Sequence, residues 1–283
     1  MASKLERRES AGAELRRIVR AQLRRARESL ERTEDRDEAI HDARRTLKKA
    51  RAVLRLARKG LGSKRYRKEN RRLRDAARPL TEVRDAKVLV DALDELATRE
   101  ALPARKLAAE RRVLLDRRRE IETRVMSSDA LEVSSSELRH ARRRVRRWEL
   151  RAGGWSTLGA GIDRIYRAGR NALALGEEDP TIENLHELRK QVKYLRNALT
   201  VLQPVADERM RALADELGVV LGDDHDLAVL KTQVGADALL SSRIDRRRRA
   251  LQRRALPLAR KLYARAPKSF LRELRRAWRE WRQ

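Results

Sequence analysis

The feature that most constrains this chain is that it repeats itself. The stretch HDARRTLKKARAVL, from His41, matches HELRKQVKYLRNAL, from His186. Both read His-(Asp/Glu)-x-Arg-(Arg/Lys)-x-(Leu/Val)-Lys-x-x-Arg-x-x-Leu. The alignment pairs His41 with His186, Arg44 with Arg189, Arg45 with Lys190, Lys48 with Lys193, Arg51 with Arg196 and Leu54 with Leu199. Downstream, LTEVRDAKVL (Leu80 to Leu89) aligns with LGDDHDLAVL (Leu221 to Leu230), pairing Arg84 with His225 and Asp85 with Asp226. The separations are close: 44 residues from His41 to Asp85, and 40 from His186 to Asp226. Upstream, Arg24, Arg27 and Leu30 align more weakly with Arg167, Arg170 and Leu173. Three ordered matches at similar spacing imply two copies of one module, related by an approximate two-fold axis.

The module is helical. Ala, Leu, Arg, Glu and Lys dominate, and strand signals are absent. Short breaks fall near 59–63, 101–103, 126–136, 153–154, 176–180, Pro204, 235–236 and Pro267. They delimit helices at 9–32, 36–59, 64–98, 103–126, 136–150, 156–175, 181–203, 206–234, 238–264 and 268–282. The two longest should bend near Pro79 and Gly222. The segment 127–136 holds five serines in an otherwise Arg-rich chain and is expected to link the halves. The expected fold is all-α: a single domain over 1–283 made of two pseudo-symmetric helical bundles, with a first repeat at 1–126, a second at 137–283, and a central basic groove or channel.

Charge bounds the partners. Lys and Arg total 71 against 43 acidic residues, a net charge of +28. Such a field attracts polyanions and says nothing about fold. Nucleic acid, anionic membrane and polyphosphate are the candidates. With no cysteine there are no disulfides and no cysteine zinc sites, which fits a cytoplasmic location. The opening MASKLERRES is charged from its fourth residue and does not resemble a signal peptide. No window of about 18 apolar residues exists to span a membrane.

The basic residues are patterned. On the helix carrying His41, the apolar stripe is Ile40, Ala43, Leu47, Ala50 and Leu54. His41, Arg44, Lys48, Arg51 and Arg55 follow the same spacing one position on, about 100° around the helix. The basic stripe therefore borders the core face and should line a crevice between helices. The second copy repeats this, with Leu185, Leu188, Val192 and Leu195 apolar and His186, Arg189, Lys193 and Arg196 basic. From His41 to Arg55 is roughly 21 Å of helix axis, which suits an extended anion.

The twice-occurring His-x-x-Arg-x-x-x-Lys-x-x-Arg helix, with the tails LTEVRDAKVL and LGDDHDLAVL, resembles the CHAD domain, the "conserved histidine α-helical domain". The likeness spans about Leu5 to Trp281. It implies two helical bundles related by pseudo-symmetry around a basic channel or groove. It implies binding of inorganic polyphosphate, often at polyphosphate granules. Family members are often fused to a CYTH triphosphatase-type domain, whose tunnel needs strands that are absent here. The chain departs from the family pattern at Asp224–His225 and at Lys87. The implied polyphosphate-binding set is Arg24, Arg27, His41, Arg44, Arg45, Lys48, Arg51, Arg55, Arg84, Arg167, Arg170, His186, Arg189, Lys190, Lys193, Arg196 and His225.

Other chemistry finds little support. The histidines lack metal-ligand spacing, and no cofactor is implied. Asp223, Asp224 and Asp226 are expected to pair with basic residues on neighbouring helices and not to hold a metal. No Gly-rich phosphate loop and no nucleophile–base spacing occurs, so no catalytic residue is assigned and the chain is not expected to be an enzyme. Aromatics make up 3%, which disfavours stacking on single-stranded bases, and Trp278 and Trp281 are expected to pack a terminal helix. Arg247 and Arg248 are expected on a solvated surface. His41 and His186 should gain charge on mild acidification and strengthen anion binding as pH falls from about 8 toward 6. Two rival readings stay open: a DNA- or RNA-binding helical protein, and a scaffold that coats granules without specific contacts.

Overall fold

The computed structural model describes the chain except for residues 1–3, 7–9, 33, 104, 106, 151–153 and 235–236. The expected breaks at Gly153 and at 235–236, and the expected helix start at residue 9, lie outside the described residues. The described residues form helices α1 (Ala11–Glu31), α2 (Arg36–Leu56), α3 (Arg58–Leu61), α4 (Ser63–Ala76), α5 (Arg78–Arg99), α6 (Ala108–Met126), α7 (Ala130–Arg146), α8 (Trp155–Glu178), α9 (Ile182–Val201), α10 (Glu208–Gln233), α11 (Ala238–Leu262) and α12 (Pro267–Arg282). No strand occurs among them.

Caps fix where the two motif helices begin. Asp35 accepts from the Glu38 N–H at 3.1 Å to start α2, and Thr181 accepts from the Asn184 N–H at 3.2 Å to start α9. The expected helix 64–98 is two helices meeting at Ala77, with Pro79 in the first turn of α5. A proline there loses no hydrogen bond, because first-turn N–H groups have no partner in the helix. The other long helix, α10, runs unbroken through Gly222.

Most of the serine-rich segment is helical. Only residues 127–129 separate α6 from α7, and Ser134 sits buried inside α7 with its hydroxyl donating to the Ala130 carbonyl at 2.7 Å. Serine can satisfy itself within a helix in this way, so a run of them does not force a break when apolar residues recur at helical spacing. Leu138, Ala141 and Val145 supply that spacing and are buried. Helix α7 returns onto α1 and α4.

The packing partners fall into matching sets. Helix α1 packs on α2 as α8 packs on α9, α2 on α5 as α9 on α10, α5 on α6 as α10 on α11, and α1 on α7 as α8 on α12. Two further contacts join like with like: α2 against α9, and α5 against α10. The apolar stripes of α2 and α9 are buried, with Leu47, Leu54, Leu188, Val192 and Leu195 at 0% exposure. One crossing is especially close. A Cβ on Gly161 of α8 would lie 2.6 Å from the Cα and carbonyl oxygen of Leu56, so α8 rides directly on the end of the α2 backbone.

Candidate functional site

The two basic stripes meet where α2 packs against α9. Lys48 stands among Arg44 of its own helix and Lys193 and Arg189 of α9, opposed by Asp85 of α5. Lys193 stands among Arg189, Arg44 and Arg196, opposed by Asp226 of α10. Among the described residues neither lysine is ion-paired. Burial between the helix walls and then repulsion by these cations push Lys48 down to about 7 and Lys193 down to about 8. Lys48 nevertheless remains open to solvent.

Carboxylates brace the arginines from behind. Arg44 donates to Asp85 at 2.7 Å and to the Thr81 hydroxyl at 3.4 Å. Arg189 donates to Asp226 at 3.4 Å. The aligned residues thus make the aligned pairs, and both guanidinium groups are depressed by burial first. Two buried guanidinium nitrogens, Nε of Arg189 and an Nη of Arg84, have no hydrogen-bond acceptor among the described residues. The Arg84 nitrogen lies 3.6 Å from Asp91, too far for a hydrogen bond, and a buried donor without an acceptor costs about 1–3 kcal/mol.

The histidines sit among cations. His41 is held below the ordinary imidazole value by burial and then by Arg84. His186 is lowered by burial and then by Arg189 and Lys190. Its Nδ1 lies 3.1 Å from Nδ1 of His225, with the rings 4.4 Å apart. One ring must donate and the other accept, so at least one is neutral. His225 is pushed down to about 3 by burial, then Arg189 and His186. Burial among cations thus opposes the gain of charge by these side chains on mild acidification. His225 faces His186 as Arg84 faces His41.

The remaining candidates divide. Arg51 donates to the Asn70 side chain at 3.1 Å, and the Arg55 guanidinium lies 3.6 Å over the Tyr194 ring. Both therefore continue the cluster along α2. Arg84 lies 3.6 Å from Asp91. Arg45 pairs with Asp42 at 2.7 Å, Lys190 with Glu187 and Arg196 with Asp215, and all three stand well exposed. The four upstream arginines have other partners. Arg24 and Arg27 pair along α1 with Glu28 and Glu31, and Arg167 pairs along α8 with Asp163 at 2.7 Å. Arg170 donates to the Tyr263 carbonyl and, at 3.0 Å, to that of Arg265, tying α8 to the α11–α12 turn.

Sequence reasoning missed Lys49, which feels Arg45, Arg25 and Arg196, and missed Tyr194, Asn70 and Arg25. Lys49 falls beside the motif's lysine at the same helix edge, which was a usable signal. The others come from neighbouring elements and carry none. Arg248 is also not where it was expected. It is 9% exposed and donates to buried Asp224 at 3.2 Å, with Gln252 donating to the same oxygen at 2.9 Å. Asp224 was expected to pair with a neighbouring helix, and it pairs with α11. Trp278 is buried against Trp155 and Trp281, packing α12 as expected. Among the described residues no helix is long and apolar enough to cross a membrane.

The fold has solved counterparts. PptA from Streptomyces chartreusis superposes with a TM-score of 0.62 at 15% identity, over 96% of this chain and all of that one. At that identity the likeness concerns the fold alone. No curated protein matches the chain. The CHAD domain model matches residues 17–235, from within α1 to just beyond α10, and so takes in both motif helices and both downstream tails. The chain belongs to the CHAD domain family.

Proposed function

We propose that this protein binds inorganic polyphosphate, without catalysing its turnover, in a basic groove formed where two repeats of one helical module meet. The matching packing sets support a duplication, with α1–α7 as one copy and α8–α12 as the other. On that reading the junction falls at 147–154, where α7 gives way to α8, and not at 127–136. The observation that carries the reading is the convergence of Arg44, Lys48, Arg189 and Lys193 from two helices on one spot, short of counter-charge. A folded chain tolerates that repulsion most readily where an anion relieves it. Arginine supplies forked contacts to phosphoryl oxygens, and lysine a compact charge. Counterion release supplies much of the affinity. The family supports polyphosphate as the anion, in the cytoplasm and at polyphosphate granules. Nucleic acid binds weakly to the same charge on this reading.

The test is competition at matched salt and equal phosphate concentration. Long-chain polyphosphate should displace duplex DNA and RNA, and not the reverse; tighter DNA binding would overturn the reading. Binding should weaken linearly with salt on logarithmic axes, and Arg44→Ala with Arg189→Ala should flatten that slope by about one unit per lost contact. An unchanged slope would place both arginines outside the site.

A further inference from the structure

We propose that Lys48, with Lys193 as a slower second, is a modification site whose amine accepts the acyl group of an acyl phosphate seated by Arg44 and Arg189. This rests on the cluster's being an anion seat. The geometry is a nucleophile beside a phosphate cradle. Lys48 lies one helical turn from Arg44 and faces Arg189 across the α2–α9 contact. Arg44 is braced by Asp85 and Thr81, and Arg189 by Asp226, so the guanidinium groups are held before a ligand arrives. The Nε of Arg189 is buried with no hydrogen-bond acceptor among the described residues. Lys48 is exposed, so a small donor can reach its amine. The charges facing it are Arg44 on α2, Lys193 and Arg189 on α9, and Asp85 on α5. Three of these four are cationic, which favours the uncharged amine that attack requires.

The step balances without a redox partner. The Nζ lone pair attacks the acyl carbon, and a C–N amide bond forms. The bond from that carbon to the bridging oxygen breaks, and the oxygen leaves with phosphorus as inorganic phosphate. The amine proton passes to the departing phosphate, whose developing charge Arg44 and Arg189 stabilise. The product lysine is neutral at every pH, so modification removes positive charge from the centre of the seat. Polyphosphate and acyl phosphate compete for one place: occupancy by the polymer shields the lysine, and acylation weakens the polymer's hold.

The test uses the full chain and acetyl phosphate, with acetylation of every lysine quantified by mass spectrometry. Lys48 should be acetylated at least about tenfold faster at pH 7 than exposed Lys59, Lys64 and Lys261, which stand outside the cluster. Excess polyphosphate should suppress that labelling and leave the other three unchanged, and Arg44→Gln with Arg189→Gln should slow it. Acetic anhydride, which has no phosphate to seat, should show less preference for Lys48. Labelling of Lys48 no faster than of Lys59, in protein that still binds polyphosphate, would overturn the inference and leave the binding reading intact. Equal preference with anhydride and with acetyl phosphate would also overturn it. Fast labelling that polyphosphate neither slows nor competes with would overturn the binding reading itself.

Discussion

The charges acting on Lys48 and Lys193 come from four helices, and their balance decides how binding responds to pH. In the free protein the two amines lose their protons around pH 7 and 8. A bound polyanion favours their charged forms, so binding takes up protons above that range. Affinity should therefore be highest and flat below about pH 6, where both lysines are already charged, and should fall as pH rises through 7 to 9. The direction over pH 8 to 6 matches the one expected from the sequence, with lysine in place of histidine as the group expected to carry it. The double variant His41→Gln with His186→Gln should keep the dependence, and binding titrations at several pH values would check this; a dependence lost with the histidines would return the role to them. The Arg248–Asp224 pair gives a second test. Arg248→Ala strands a carboxylate that is 3% exposed and should cost about 3 kcal/mol in urea unfolding, whereas Arg249→Ala, at an exposed position, should stay within about 0.5 kcal/mol. The double variant Arg248→Met with Asp224→Leu should recover most of the loss.

Helix by helix, the sequence made some features plain and hid others, for physical reasons. The stripes of α2 and α9 were legible because helical period places a basic residue one position behind each apolar one, and one face cannot move without the other. The helix over Ala130–Ser136 was not, because serine's local hydrogen bonding disfavours helices only on average, and Ser134 satisfies itself inside α7. The partners of Arg170 were hidden because the carbonyls of Tyr263 and Arg265 lie more than ninety residues away in sequence. His225 could not be understood from its own helix, since its meaning is the ring of His186 on another. The Gly161 crossing was equally invisible, and it is testable. Alanine is ordinarily the better helix former, yet Gly161→Ala puts a methyl 2.6 Å from the backbone at Leu56, which cannot swing aside. The substitution should cost about 1–3 kcal/mol by thermal or chemical unfolding. A neutral or stabilising result would mean that α8 can lift from the end of α2 without penalty.

For the molecule as a whole, an anion held at the contact between α2 and α9 would link occupancy to integrity. A polyanion at 100 times its dissociation constant should stabilise the fold by about 2.7 kcal/mol and raise the unfolding midpoint by about 5–10 °C. A scan of melting temperature against polyphosphate concentration would check this, and a midpoint indifferent to the polymer would place the anion elsewhere. The seat is also not the same at its two ends. His41 meets Arg84, while His186 meets the ring of His225. A strand of nucleic acid has a 5′ and a 3′ direction, and unlike ends would hold it better one way round than the other. A chain of inorganic phosphates reads identically in both directions. To such a polymer the difference between Arg84 and His225 would impose no orientation, and neither way of lying across the two ends would be the wrong one.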